Sequence, residues 1–140
     1  MQMPITLLYA SIFALFALFL SFKAGAARDK SGLSILFGTP ENMELAQTVR
    51  VHQNFLEYVP IILIAFGAIE INGGNSWFLY IIGDLLIFAR IAHAIGLKHD
   101  NIGHVGRLIG AAGSAFVMLA VGCYGAWMAT SHMIENGFRI

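Results

Sequence analysis

Four long apolar stretches run through the chain. Each is close to the ~20 residues that a helix rising ~1.5 Å per residue needs to cross ~30 Å of hydrocarbon. The first covers residues 4–22 and meets no charge before Lys23. The second covers 55–71 and is interrupted only by Glu57. The third covers 77–97 and carries Asp84, Arg90 and His93, and the fourth covers 105–131 with Arg107 near its start. The connections between them are too short for a soluble domain. The pattern predicts an all-α membrane protein, a bundle of four transmembrane helices forming one domain over residues 1–140.

The ends of these stretches carry further signals. Ala24-Gly25-Ala26 has the small residues of a signal-peptide cleavage site, but no Lys or Arg precedes the first apolar run, so a retained helix is expected. Thr39-Pro40-Glu41 reads as a helix N-cap, a proline at the first helical position and an acid on the positive dipole end. Asn72-Gly73-Gly74 reads as a stop. Helix two would then exceed the bilayer, its first half protruding or lining a polar pocket, with a kink expected near Pro60. Lys23, Arg28 and Lys30 fall in the first loop, and Lys98 and Arg107 at the third. The second loop, residues 72–76, has no basic residue. Basic loops face the cytoplasm, so both termini are expected in the periplasm, with Arg139 as the dissenting charge. Short loops and no transit peptide point to a bacterial inner membrane.

Composition narrows the function classes. Hydrophobic residues make up 58% of the chain and charged residues 11%, against roughly 25% charged in a typical soluble protein. Eight Lys+Arg balance eight Asp+Glu, which excludes nucleic-acid binding driven by bulk charge. The single cysteine, Cys123, excludes an internal disulfide and a cysteine-based zinc site. The histidines lack ligand spacing, so no metal is expected.

The informative residues are those that a membrane should not tolerate. Ionisable groups at membrane depth are costly unless paired or hydrated. Arg50, Asn54 and Glu57 fall at i, i+4 and i+7, within a ~60° arc of one helix face. A direct Arg50–Glu57 contact is not expected over two turns, about 10 Å along the axis, without bending or a mediator such as Asn54. Arg90 and His93, one turn apart, read by themselves as side chains snorkelling to the headgroups, and Arg107 reads equally well that way. Together, Arg28, Arg50, Arg90 and Arg107 bring a guanidinium from each helix to one membrane boundary, with Glu57 as counter-charge. Guanidiniums hold carboxylates bidentately. Such a pocket suits a small anion bearing one ammonium group, with Tyr58 as a hydroxyl donor and an apolar partner arriving from the lipid. Glycine and serine at Gly106, Gly110 and Ser114, with Gly122 and Ala126 beyond, suit close helix contact. Cys123 reads as a packing residue, Tyr9 and Tyr124 as belt or packing residues, and Glu70 as an interfacial acid without special role. Asp84 could pair across helices or subunits, or be protonated.

The segment Arg50-Val-His-Gln-Asn54-Phe-Leu-Glu57-Tyr58-Val-Pro60 resembles the second-helix signature of the MAPEG family, membrane-associated proteins of eicosanoid and glutathione metabolism. Phe88-Ala89-Arg90-Ile-Ala-His93-Ala-Ile-Gly96 resembles its third-helix signature. The Leu56-Glu57-Tyr58 and Asn72-Gly73 pattern is similar to small bacterial inner-membrane members. The resemblance implies a left-handed four-helix bundle assembled as a homotrimer, with glutathione as co-substrate between subunits. It implies glutathione contacts for Arg50, Asn54, Glu57, Tyr58, Arg90 and His93, a neighbouring-subunit contact for Arg28, and a catalytic role for Arg107 in stabilising the thiolate. Leu97 departs from a tyrosine found in several catalytic members, and Asp29 from a second arginine. The expected function is conjugation of glutathione to a lipophilic electrophile, as a transferase, or peroxidase reduction of a lipid hydroperoxide. The alternative is a non-catalytic scaffold or lipid-binding protein of the same fold. A proton-coupled exporter built on Glu57 is disfavoured by the arginines around it.

Overall fold

The computed structural model describes residues 2–35 and 42–137. They form α1 (Pro4–Ser31), α2 (Met43–Ile71), α3 (Ser76–Gly96) and α4 (Val105–Glu135). All four are long and apolar enough to cross a membrane. The bundle has two ends: one holds the start of α1, the α2–α3 turn and the end of α4, and the other is the basic end.

Helix α1 runs two turns beyond its apolar stretch, so Lys23, Arg28 and Lys30 lie in the helix and not in the first loop. Lys23 ends the hydrophobic pattern, yet the alanines of the following Ala24-Gly25-Ala26-Ala27 sustain a helix. Arg28 and Lys30 also complement the negative end of the dipole. The start of α1 has no cap of its own from Met3. Glu70 of α2 supplies one: its carboxylate accepts from the N–H of Ile5 at 2.8 Å and of Thr6 at 2.7 Å. Two of the four unsatisfied amides at that helix end are thereby paired, by a negative charge at the positive dipole end. The acid without an expected role is a cap across helices.

Helix α2 continues unbroken through Pro60 and stops where expected, with Asn72 at its cap and Gly73 at φ 78°. Its 29 residues span about 44 Å at ~1.5 Å each. The expected Thr39-Pro40-Glu41 start and Arg139 lie outside the described residues. Asn75 caps α3 by accepting from Phe78 N at 3.0 Å, and His104 caps α4 by accepting from Gly106 N at 3.1 Å.

The core is aromatic between α1 and α2 and glycine-rich between α3 and α4. Phe13 and Phe16 both pack on Phe55, and Tyr9 meets Phe66 edge-on. Tyr9 is buried, not a belt residue, and its hydroxyl donates to Asp84 and to the Tyr80 carbonyl, each at 2.8 Å. Asp84 thus takes the cross-helix pairing among its open readings. It is possible because Gly83 has no Cβ to collide with the Tyr9 ring. On α4, a Cβ at Gly110 would strike the His93 backbone and one at Gly113 the Ala89 side chain. A Cβ at Gly96 of α3 would strike the Gly106–Arg107 backbone. The small-residue stripe therefore brings α3 and α4 into backbone contact. It ends there: Gly122 faces open space, and Cys123 is exposed instead of packed.

Candidate functional site

Arg90 lies on α3 between Ala89 and His93, the residues that pack against α4. Glycines at Gly96, Gly106 and Gly110 draw the two helices together on one flank of its turn, and Tyr58 and Asn54 of α2 close the other. Arg90 is 2% exposed, so the snorkelling expected of it is not available. Its Nη2 donates to Asn54 Oδ1 at 3.0 Å, and its guanidinium stacks over the Tyr58 ring at 5.7 Å, within cation–π range. Its Nε and Nη1 are buried with no hydrogen-bond partner among the described residues. A guanidinium has five N–H donors and is always charged. Here one amide oxygen and one ring face stand in for the carboxylate that a buried arginine ordinarily requires.

Two turns of α2 carry the rest of that face. Arg50 and Glu57 make a direct ion pair, Nη1 to Oε1 at 2.8 Å, where the spacing argued against one. The spacing along the axis is right, but two long side chains reach towards each other and close it. Asn54 does not mediate: it faces Arg90. Both partners of the pair are about half exposed, Arg50 at 53% and Glu57 at 48%. Such a pair is worth about 0–1 kcal/mol, so an incoming anion and ammonium group can replace it at little cost.

His93 is buried against Gly110, and the guanidiniums of Arg90, Arg107 and Arg50 all lie within electrostatic range of its ring. Arg107 is half-buried at the first turn of α4 and donates to the Ile102 carbonyl at 3.0 Å. Arg28, in the last turns of α1, donates to the carbonyls of Leu33 and Ser34. Of the residues singled out in the sequence, Arg50, Asn54, Glu57, Tyr58, Arg90 and His93 share one α2–α3 surface, Arg107 borders it from α4, and Arg28 stands on α1. Leu97 packs half-buried against the core at the end of α3. Gln47 was not singled out: its Oε1 accepts from His99 N at 2.9 Å and ties the α3–α4 loop to α2. A polar residue on the protruding half of helix two was the available signal.

The arrangement offers a buried cation with spare donors, an exposed ion pair that opens cheaply, and a second cation at the edge. No solved structure matches the chain. Among curated proteins it is similar to the inner membrane protein YecN of Escherichia coli strain K12, at 30% identity over 68% of this chain and 71% of the relative. YecN of Escherichia coli O6:H1 matches with the same identity and coverage. The sequence profile described as the MAPEG family matches residues 6–127, from the first turn of α1 into the last turns of α4. The chain belongs to the MAPEG family and is an integral membrane protein.

Proposed function

We propose that this face binds glutathione and that the protein conjugates it to a lipophilic electrophile or uses it to reduce a lipid hydroperoxide. The observation that carries the reading is the Arg90 guanidinium, buried with two of its nitrogens, Nε and Nη1, unpartnered among the described residues. Glutathione has two carboxylates, one ammonium group and a thiol. Arg90 and Arg50 match the carboxylates bidentately, Glu57 matches the ammonium group, and Asn54 and Tyr58 add neutral hydrogen bonds. Arg107 favours the thiolate, the nucleophilic form. In conjugation the sulfur forms a bond to the electrophile's carbon and the thiol proton passes to solvent or to the displaced group. In hydroperoxide reduction two glutathiones are oxidised to the disulfide while the hydroperoxide becomes an alcohol and water. The bilayer delivers the apolar substrate.

The assembly proposed is a homotrimer, in which Arg28 of one subunit reaches the site of the next. The location proposed is the inner membrane, as for the relative named above, with both termini periplasmic. A second reading has its own observation. Leu97 is an apolar packing residue and Asp29 is an acid, so a hydroxyl donor and a cation that would assist chemistry are missing. A binding protein without catalysis fits that loss. The readings separate on activity: purified protein is assayed with glutathione against an aryl halide and a fatty-acid hydroperoxide, beside Arg107→Ala. Turnover lost in the variant with glutathione affinity retained supports the enzyme. Glutathione binding without turnover of either class supports the binding protein.

A further inference from the structure

We propose that the cleft between α1 and α3 at the basic end holds one anionic phospholipid, separately from the glutathione face. Helices α1 and α3 meet at the opposite end, where Tyr9 seats on Gly83 and bonds Asp84. From there they part. The opening between them is a cleft of about 480 Å³, within the range of roughly 300–1,000 Å³ for small-molecule sites. Its walls are Phe16, Phe19 and Leu20 of α1 against Ile91 and Ile95 of α3, and Val51 of α2 is part of its floor. Lys23 and Lys98 stand at the same end of it, one on each side helix or just beyond it.

The chemistry of the lining selects the occupant. Of its other polar side chains, the Gln47 amide oxygen accepts from the His99 N–H, and the Thr48 hydroxyl donates to the carbonyls of its own helix. Lys23 lies over the Phe19 ring at 5.7 Å, and neither lysine forms an ion pair among the described residues. Glu44 and Asp100 border Lys98 in an adjoining hollow but do not come within 4.0 Å of its ammonium. Two exposed cations therefore crown an apolar trough that opens sideways. A diacyl lipid with a net negative headgroup satisfies both parts: its phosphate lies between the ammonium groups and one acyl chain lies along the phenylalanines and isoleucines. Basic pockets between transmembrane helices recognise anionic headgroups on this physical basis. No residue lining the cleft belongs to the Arg90 face, so the two sites share no side chain.

The test is lipid retention in native mass spectrometry of detergent-purified protein. It compares dioleoyl phosphatidylglycerol, dioleoyl phosphatidylcholine and free oleate on wild type, on the Lys23→Gln/Lys98→Gln double variant and on Ile95→Trp. Size-exclusion elution and helical circular dichroism confirm that each variant is folded. Wild type should prefer phosphatidylglycerol over phosphatidylcholine by about thirtyfold, the discrimination expected of two lysines at a membrane surface. The double variant should lose that preference. Ile95→Trp keeps both lysines, fills the trough and should weaken phosphatidylglycerol retention. Equal retention of the two phospholipids by wild type overturns the proposal, as does an unchanged preference in the double variant. An inert Ile95→Trp reduces the effect to surface charge and overturns the cleft. Tighter retention of oleate than of phosphatidylglycerol assigns the cleft to a free lipophilic carboxylate instead.

Discussion

The two ends of the bundle treat their polar groups in opposite ways. At the end where α1 begins, the polar groups set between the helices have a structural use. Glu70 caps α1, Asp84 receives the Tyr9 hydroxyl, and Tyr124 accepts from the Asn75 amide at 3.0 Å. The Thr6 hydroxyl is the exception, a neutral group left without a partner. At the basic end a full positive charge is buried on Arg90 with two donors unused, while the only carboxylate nearby on α2 is committed to Arg50 at an exposed position. An unpaired buried charge costs far more than an unpaired hydroxyl. The difference teaches that polar groups in this membrane domain fall into two sorts: those that hold helices together and those held ready for something else.

The comparison can be broken by interfering with either end, and the largest effect belongs to the basic one. Arg90→Met should remove a charge that no carboxylate among the described residues pairs. Glutathione affinity should fall at least about a hundredfold, as when one partner of a buried charge pair is removed, while resistance to unfolding in SDS is unchanged or improved. Glu70→Ala should do the reverse. Losing a cap costs about 1–2 kcal/mol, visible as a lower unfolding midpoint, with glutathione affinity within twofold of wild type. Tyr9→Phe leaves Asp84 without its donor and should cost about 1–2 kcal/mol by the same measurement, again without change in ligand affinity. The smallest structural effect is expected for Arg50→Ala: the exposed pair with Glu57 contributes about 0–1 kcal/mol, so the variant should unfold like wild type yet bind glutathione about tenfold more weakly. A variant that lowers stability and affinity together at either end would blur the distinction between them.

Much of this architecture was legible in the sequence, because a bilayer imposes a length on every apolar run and forbids unpaired backbone in between. The four helices follow from that constraint. Their ends follow only where a residue type announces them, as Gly73 does at φ 78°. The end of α1 was obscured because the apolar run stops at Lys23, while the alanines after it carry the helix on. The candidate face was legible as a spacing, Arg50-x3-Asn54-x2-Glu57, and as a resemblance. Its pairing was not, since residue positions fix Cα separations and leave open how far two long side chains reach. The burial of Arg90 was hidden for a different reason. A basic residue near a helix end snorkels or is enclosed depending on what packs beside it, and here the contacts come from Tyr58 and Asn54 on another helix, while α4 glycines seat against Ala89 and His93 on either side of it in sequence. Glu70 caps residues 64 and 65 positions away, a partnership that no local pattern contains.

The central claim is that Arg90 and the Arg50–Glu57 pair form one anion-binding face for glutathione. Isothermal calorimetry of glutathione on the detergent-purified protein tests it most directly, with wild type beside Arg50→Ala, Glu57→Ala and Arg90→Met, each shown to be folded. The account predicts saturable binding by wild type, weakening in both α2 variants and loss in Arg90→Met. A folded wild type that does not bind glutathione, or binding that survives Arg90→Met unchanged, would contradict it.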